Sequence, residues 1–122
     1  PRVRPVGTVA QDGVLDLVAA VDQGLGAGAV ADLLGGTPVT TAGRYALASP
    51  AALVPATGPV VCVHGDADTV VPLDQSERYV AAATAARAEA RLRELPGVDH
   101  FGVIDPGHPA WTAVREEVVG LL

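Results

Sequence analysis

The stretch Gly58-Pro59-Val60-Val61-Cys62-Val63-His64-Gly65-Asp66-Ala67-Asp68 decides the fold. Its apolar run is continuous rather than alternating, and rich in β-branched residues. A strand reads this way when both of its faces are covered, as in parallel sheets packed between helices. The run breaks into Gly and Asp at its C-terminal end, where open α/β sheets gather ligand-binding and catalytic groups.

Downstream, Asp74-Gln75-Ser76-Glu77 has the spacing of a capping box, an acid cap followed three residues later by Glu. It predicts a helix to about Ala88 with Tyr79, Val80, Ala83 and Ala86 on one face. Residues 91–95 read as a third strand, charged enough to lie at or near an edge. Residues 96–107 form a loop holding His100, and Pro109 suits the first turn of a last helix with Trp111, Val114, Val118 and Leu121 as its stripe. Upstream, residues 6–10 read as a first strand closed by the turn Gln11-Asp12-Gly13. Helical spacing follows over residues 14–25, then a glycine-rich segment with short helices, a helix start at Thr37-Pro38 and a helical stretch over 45–53 containing the cap pair Ser49-Pro50. This order predicts an α/β fold, a three-stranded parallel sheet with flanking helices, in one domain over 1–122.

The bulk properties narrow the partners. A 122-residue chain that is 49% apolar can bury roughly 65% of its unfolded surface and hold a core. Aromatics are few, so that core is Val, Leu and Ala. A net charge of −6 with no basic run argues against nucleic acid and against an anionic membrane. No apolar run approaches the ~20 residues that span a bilayer. The single cysteine, Cys62, excludes an internal disulfide and suits a reducing, cytoplasmic compartment. High Ala, Gly, Val and Arg usage without lysine suggests a GC-rich bacterial source.

Two strand ends deliver chemistry. Asp68 follows the central strand, and His100 follows the third, about thirty residues on. A buried carboxylate that accepts the Nδ1 proton of histidine fixes its tautomer and leaves Nε2 as a base toward a hydroxyl. Other readings compete. Asp68 can be a turn aspartate capping backbone amides, and His100 a surface loop residue. His64, Asp66 and Asp68 alternate along the chain and could be read as metal ligands. Cys62 in an apolar strand reads as core rather than nucleophile. Arg78, Arg87, Arg91 and Arg93 read as a solvated face.

His64-Gly-x-x-Asp68-x-x-Val71-Pro72 followed by Gln75-Ser76, then Gly97-x-Asp99-His100-Phe101, Ile104-Asp105-Pro106 and Ala110-Trp111, together resemble the C-terminal half of α/β-hydrolase esterases. The likeness is to the bacterial esterase group related to prolyl oligopeptidases, dienelactone hydrolases and arylformamidases. It covers residues 58–122, and residues 6–17 resemble the family's strand after the nucleophile helix. The resemblance implies the last three strands of that fold, with Asp68 as triad acid and His100 as triad base. It implies a carboxylic ester hydrolase acting on a small-molecule ester, with no cofactor and no metal. It makes His64-Gly65 a turn signature and residues 22–48 a cap-like segment.

The departures shape the expectation. The Gly-x-Ser-x-Gly elbow and the His-Gly-Gly oxyanion segment of that family are absent, and the only serines, Ser49 and Ser76, lack flanking glycines. Gln11-Asp12 and His108 stand where relatives carry small residues. Pro1-Arg2-Val3-Arg4-Pro5 reads as the middle of a longer protein, with the nucleophile serine in a missing N-terminal half. The first strand would then have a bare edge, suited to pairing with that half or to homo-oligomerisation. Two alternatives remain: a stand-alone small esterase using Ser49 or Ser76, and a non-catalytic binding or assembly module.

Overall fold

A computed structural model describes residues 3–122; Pro1 and Arg2, part of the N-terminal reading above, lie outside the described residues. Three parallel strands, β1 (Thr8–Gln11), β2 (Val60–Gly65) and β3 (Ala90–Leu95), lie in the order β1-β2-β3. The helices are α1 (Leu17–Asp22), α2 (Ala29–Leu34), α3 (Ala42–Ala48), α4 (Asp74–Ala85) and α5 (Pro109–Gly120). Among the described residues, no helix is long and apolar enough to cross a membrane.

The unbroken apolar character of β2 is explained by what covers it. Alternate side chains point to opposite faces. Val61 and Val63 pack with Val98, Val103, Ala110 and Val114 beneath α5. Val60 and Cys62 pack with Tyr79 and Ala83 of α4 on the other side. Every residue of β2 is buried. The expected sheet is present, with the charged third strand at an edge.

Several local expectations are corrected. The first strand is 8–11 rather than 6–10, because β2 begins only after Gly58-Pro59 and pairing opens where Thr8 N–H donates to the Pro59 carbonyl. The turn at residue 12 stands: Asp12 has φ 43° and its N–H donates to Val63 O. Asp74 is not a cap. It is the first residue of α4, and its carboxylate accepts from Gln23 Nε2 and Arg78 Nε, each at 2.8 Å. The helix stops at Ala85, short of Ala88, because Arg87 turns left-handed at φ 57° and Ala88 N–H reaches back to Ala83 O. Thr37-Pro38 opens a turn closed by Thr41 N–H on Thr37 O, and α3 starts only at Ala42.

Of the stripe expected for the last helix, Val114 is in the core and Trp111 and Leu121 pack against it, while Val118 departs. Ala110, Ala113, Val114 and Glu117 are buried, while Val118 is half exposed. Glu117 turns inward because Arg91 and Arg93 of β3 wait there. Arg91 bonds one carboxylate oxygen and Arg93 the other at 3.0 Å, with Arg93 also on Glu116 at 2.8 Å. Arg78 is likewise paired, with Asp74. Arg78, Arg91 and Arg93 are thus ion-paired, although the side chains of Arg78 and Arg91 remain more than half exposed.

Candidate active site

Asp68 lies three residues beyond the end of β2. The chain turns back over its carboxylate, so that Oδ1 accepts from Val70 N–H and Val71 N–H, each at 2.8 Å. Oδ2 then faces His100 Nδ1 at 2.7 Å. The Asp68 side chain is fully buried, and that of His100 is 27% exposed. Burial pushes the Asp68 carboxyl up, but bonds with Asp12, Val71, His100 and Val70 outweigh it and hold the carboxyl below its ordinary range. A fixed anion thus receives the Nδ1 proton. Among the described residues Nε2 of His100 has no hydrogen-bond partner, so it is available as a base.

The loop carrying His100 is fastened to the end of β2. Asp66 N–H donates to Leu95 O, Ala67 N–H donates to Val98 O, and Asp66 Oδ1 accepts from Gly97 N–H. Gly97 supplies a φ of 70°, which a glycine adopts without cost. Asp99 then accepts from Phe101 N–H and Gly102 N–H, and Phe101 meets the His100 ring edge-on with centroids 5.4 Å apart. The structure therefore brings together Asp68 and His100, the two site residues expected from the sequence.

Asp12 was missed as anything but a turn residue. It is 3% exposed, its Oδ1 accepts from Gly65 N–H at 3.0 Å, and its Oδ2 lies 3.9 Å from His100 Nδ1. Burial, and the Asp68 carboxylate beside it, push its carboxyl up to about 8. A signal existed: Asp12 ends β1 just as the Asp66–Asp68 turn ends β2, at the carboxyl edge of the sheet. The distance of 53 residues to Gly65 hid it.

The metal and serine readings can be judged on donors. Asp66 caps Gly97 and is not in the cluster, but Asp12, His64 and Asp68 place ligand-type atoms within 4.8 Å of one another. His64 is fully buried, not a turn residue, and both its nitrogens are used. Nε2 lies 2.9 Å from the Val71 carbonyl, which only accepts, so Nε2 carries the proton. Nδ1 therefore accepts from the Ser76 hydroxyl at 2.7 Å. No lone pair on this ring is left for an ion. The same bond engages Ser76, which is 0% exposed, as a latch between β2 and α4. Ser49 is 2% exposed and stands at the N-cap position of the following turn, but its side chain makes no cap bond there; its Oγ accepts from Leu17 N–H instead. Neither serine presents a free hydroxyl to His100. The Cys62 thiol, pushed up to about 11 by burial, stays protonated in the core.

A family model described as BD-FAE matches residues 6–82. Thermogutta terrifontis esterase 2 with propionate bound superposes with TM-score 0.68 at 21% identity, over 98% of this chain and 42% of that one. The same esterase phosphoramylated by tabun gives TM-score 0.66 at 22% identity, over 95% and 40%. A Mycobacterium tuberculosis puromycin-hydrolyzing peptidase gives 0.70 at 25% identity, over 94% of this chain and 17% of that one. These neighbours are α/β-hydrolase folds. The chain thus spans about two fifths of the esterase and less than a fifth of the peptidase. No curated protein matches the chain.

Proposed function

We propose, because the chain belongs to the BD-FAE family, an α/β-hydrolase-type esterase domain, that it carries the acid and the base of a serine-hydrolase triad for carboxylic ester hydrolysis. His100 takes the proton of the attacking serine on Nε2 and returns it to the leaving alcohol, while Asp68 orients the ring and stabilises the imidazolium. The observation that carries this reading is the 2.7 Å contact between a fully buried, anionic Asp68 and a partly exposed His100.

The nucleophile lies outside these 122 residues, on the polypeptide segment that pairs with the edge of β1 left unpaired among the described residues. Both resident serines are buried and engaged elsewhere, which supports this placement and disfavours a stand-alone esterase built on Ser49 or Ser76. Residues 22–48 form part of a cap over the substrate. A cavity of about 390 Å³ opens beside them, walled mainly by apolar side chains including Val18, Pro38, Ala42 and Tyr45; neither Asp68 nor His100 lines it. The substrate class is a small ester or an activated amide, in keeping with the esterase and peptidase among the similar structures.

The test is hydrolysis of p-nitrophenyl acetate by the full polypeptide, with fluorophosphonate labelling to locate the serine. Asp68→Asn should lower kcat about 10⁴-fold, by forcing the wrong histidine tautomer as in the serine proteases, and His100→Ala at least as much. Turnover that survives His100→Ala would refute the assignment. Labelling lost on Ser49→Ala or Ser76→Ala would place the nucleophile here instead.

A further inference from the structure

We infer that Asp12 is a positioning residue of the same site, a buried carboxylic acid whose O–H donates to the Asp68 carboxylate and holds that carboxylate as the acceptor facing His100. The inference rests on the assignment of Asp68 and His100 given above.

The geometry requires a proton between the two acids. Asp12 Oδ1 is satisfied by Gly65 N–H. Asp12 Oδ2 is buried and, among the described residues, has no donor. Its neighbours are the Asp68 carboxylate and His100 Nδ1, and the Nδ1 proton is already committed to Asp68 at 2.7 Å against 3.9 Å to Asp12. An ionised Asp12 would leave a buried anionic oxygen without a partner, next to a second anion. Two carboxylates so placed do not both ionise readily. Protonated, Asp12 turns its orphan oxygen into a donor and Asp68 into its acceptor.

The charged and titratable groups around Asp12 point the same way. The β2 end contributes Asp68 and His64; the loop after β3 contributes Asp99 and His100. Both carboxylates oppose a charge on Asp12, and the proton-bearing nitrogen of each histidine is already committed to another acceptor. Asp68 keeps the charge because Val70 and Val71 amides and His100 all donate to it. Loss of the Asp12 proton, near pH 8, would set two anions against each other and pull Asp68 away from His100.

Asparagine is the informative replacement. It tolerates the φ of 43° at this position better than most residues, and it offers the same oxygen to Gly65 with a permanent donor toward Asp68. In the full polypeptide, carboxyl ¹³C NMR should show Asp12 protonated at pH 7 and titrating near 8, with Asp68 titrating below the ordinary range. The kcat profile for p-nitrophenyl acetate should fall above that pH, and Asp12→Asn should abolish the alkaline limb. Asp12→Ala should cost roughly tenfold in kcat, which Asp12→Asn restores. An Asp12 carboxyl titrating near 4, an alkaline limb that persists in Asp12→Asn, or an asparagine no better than alanine would overturn the inference. Full activity of Asp68→Asn or His100→Ala would instead overturn the site assignment, whatever Asp12 does.

Discussion

The carbonyl of Val98 rests directly over the Cα of Gly65. A Cβ at residue 65 would overlap that oxygen, so glycine is required by close approach rather than by its backbone angle. The contact is where the turn carrying Asp68 meets the loop carrying His100, and Ala67 N–H bonds the same carbonyl at 3.1 Å.

Gly65→Ala should therefore act on geometry first. The Val98 backbone must shift, and the His100 loop goes with it. A misplacement of about 1 Å costs on the order of 10²-fold in rate, and overpacking of this kind costs about 1–3 kcal/mol in stability. Turnover of p-nitrophenyl acetate and urea unfolding measure the two effects. A variant that is destabilised yet keeps wild-type kcat would show that the loop does not depend on this contact.

Gln75 should be a large stability determinant. It is fully buried, and its Oε1 accepts from Leu15 N–H and Asp16 N–H, while Nε2 donates to Asp16 O and Gln23 Oε1. It thereby holds the segment after β1 against α4. Gln75→Ala strands two backbone donors, each worth about 1–3 kcal/mol, so a loss of about 2–5 kcal/mol is expected. The urea midpoint should fall with an unchanged m value. A loss below about 1 kcal/mol would mean that water replaces the carboxamide.

Much of this arrangement is legible in sequence, and the exceptions share a cause. The run Val60 to Val63 announces a doubly covered strand because nearest neighbours alone carry that information. Asp68 and His100 stand out because their flanking residues form recognisable turns. Asp12 and Glu117 do not. Each acquires its role from a partner on another strand: Gly65 across the β1–β2 register, and Arg91 with Arg93 across the β3–α5 packing. In the last helix the apolar stripe places Trp111, Val114 and Leu121 against the core but not the buried Glu117, for the same reason. Arg91 and Arg93, two apart and so on one face of β3, already hinted that this face meets an acid.

Glu117 should link stability to acid pH. Bonds from Arg91, then Arg93, hold its carboxyl below the ordinary range despite burial. A depressed carboxyl contributes stability that is present above its unfolded value near 4.5 and is lost as pH falls through the folded value. Glu117→Gln should lower Tm at pH 7 and narrow the difference between pH 7 and pH 3. Arg93 keeps its bond to Glu116, so the loss at pH 7 should stay near 1–2 kcal/mol. Equal Tm shifts at both pH values would exclude the charge as the cause.

The pair Asp12 and Asp68 should imprint opposite slopes on stability. Asp68, depressed, adds stability above the unfolded carboxyl value near 3.8 and loses it as pH falls through its folded value. Asp12, raised to about 8, does the reverse: its contribution is complete below 3.8 and drains away as pH rises toward 8, because the folded state holds a proton that the unfolded chain has released. Between those limits one proton separates the two states, so stability declines by up to about 1.4 kcal/mol per pH unit from this group alone. Asp12→Asn carries no such proton. Its unfolding free energy, measured from pH 4.5 to 8.5, should be flatter than wild type, and the curves should diverge most at the alkaline end, where the asparagine variant is the more stable. Parallel curves would mean that folded and unfolded Asp12 ionise alike, leaving the orphaned oxygen beside Asp68 to be satisfied by some other donor.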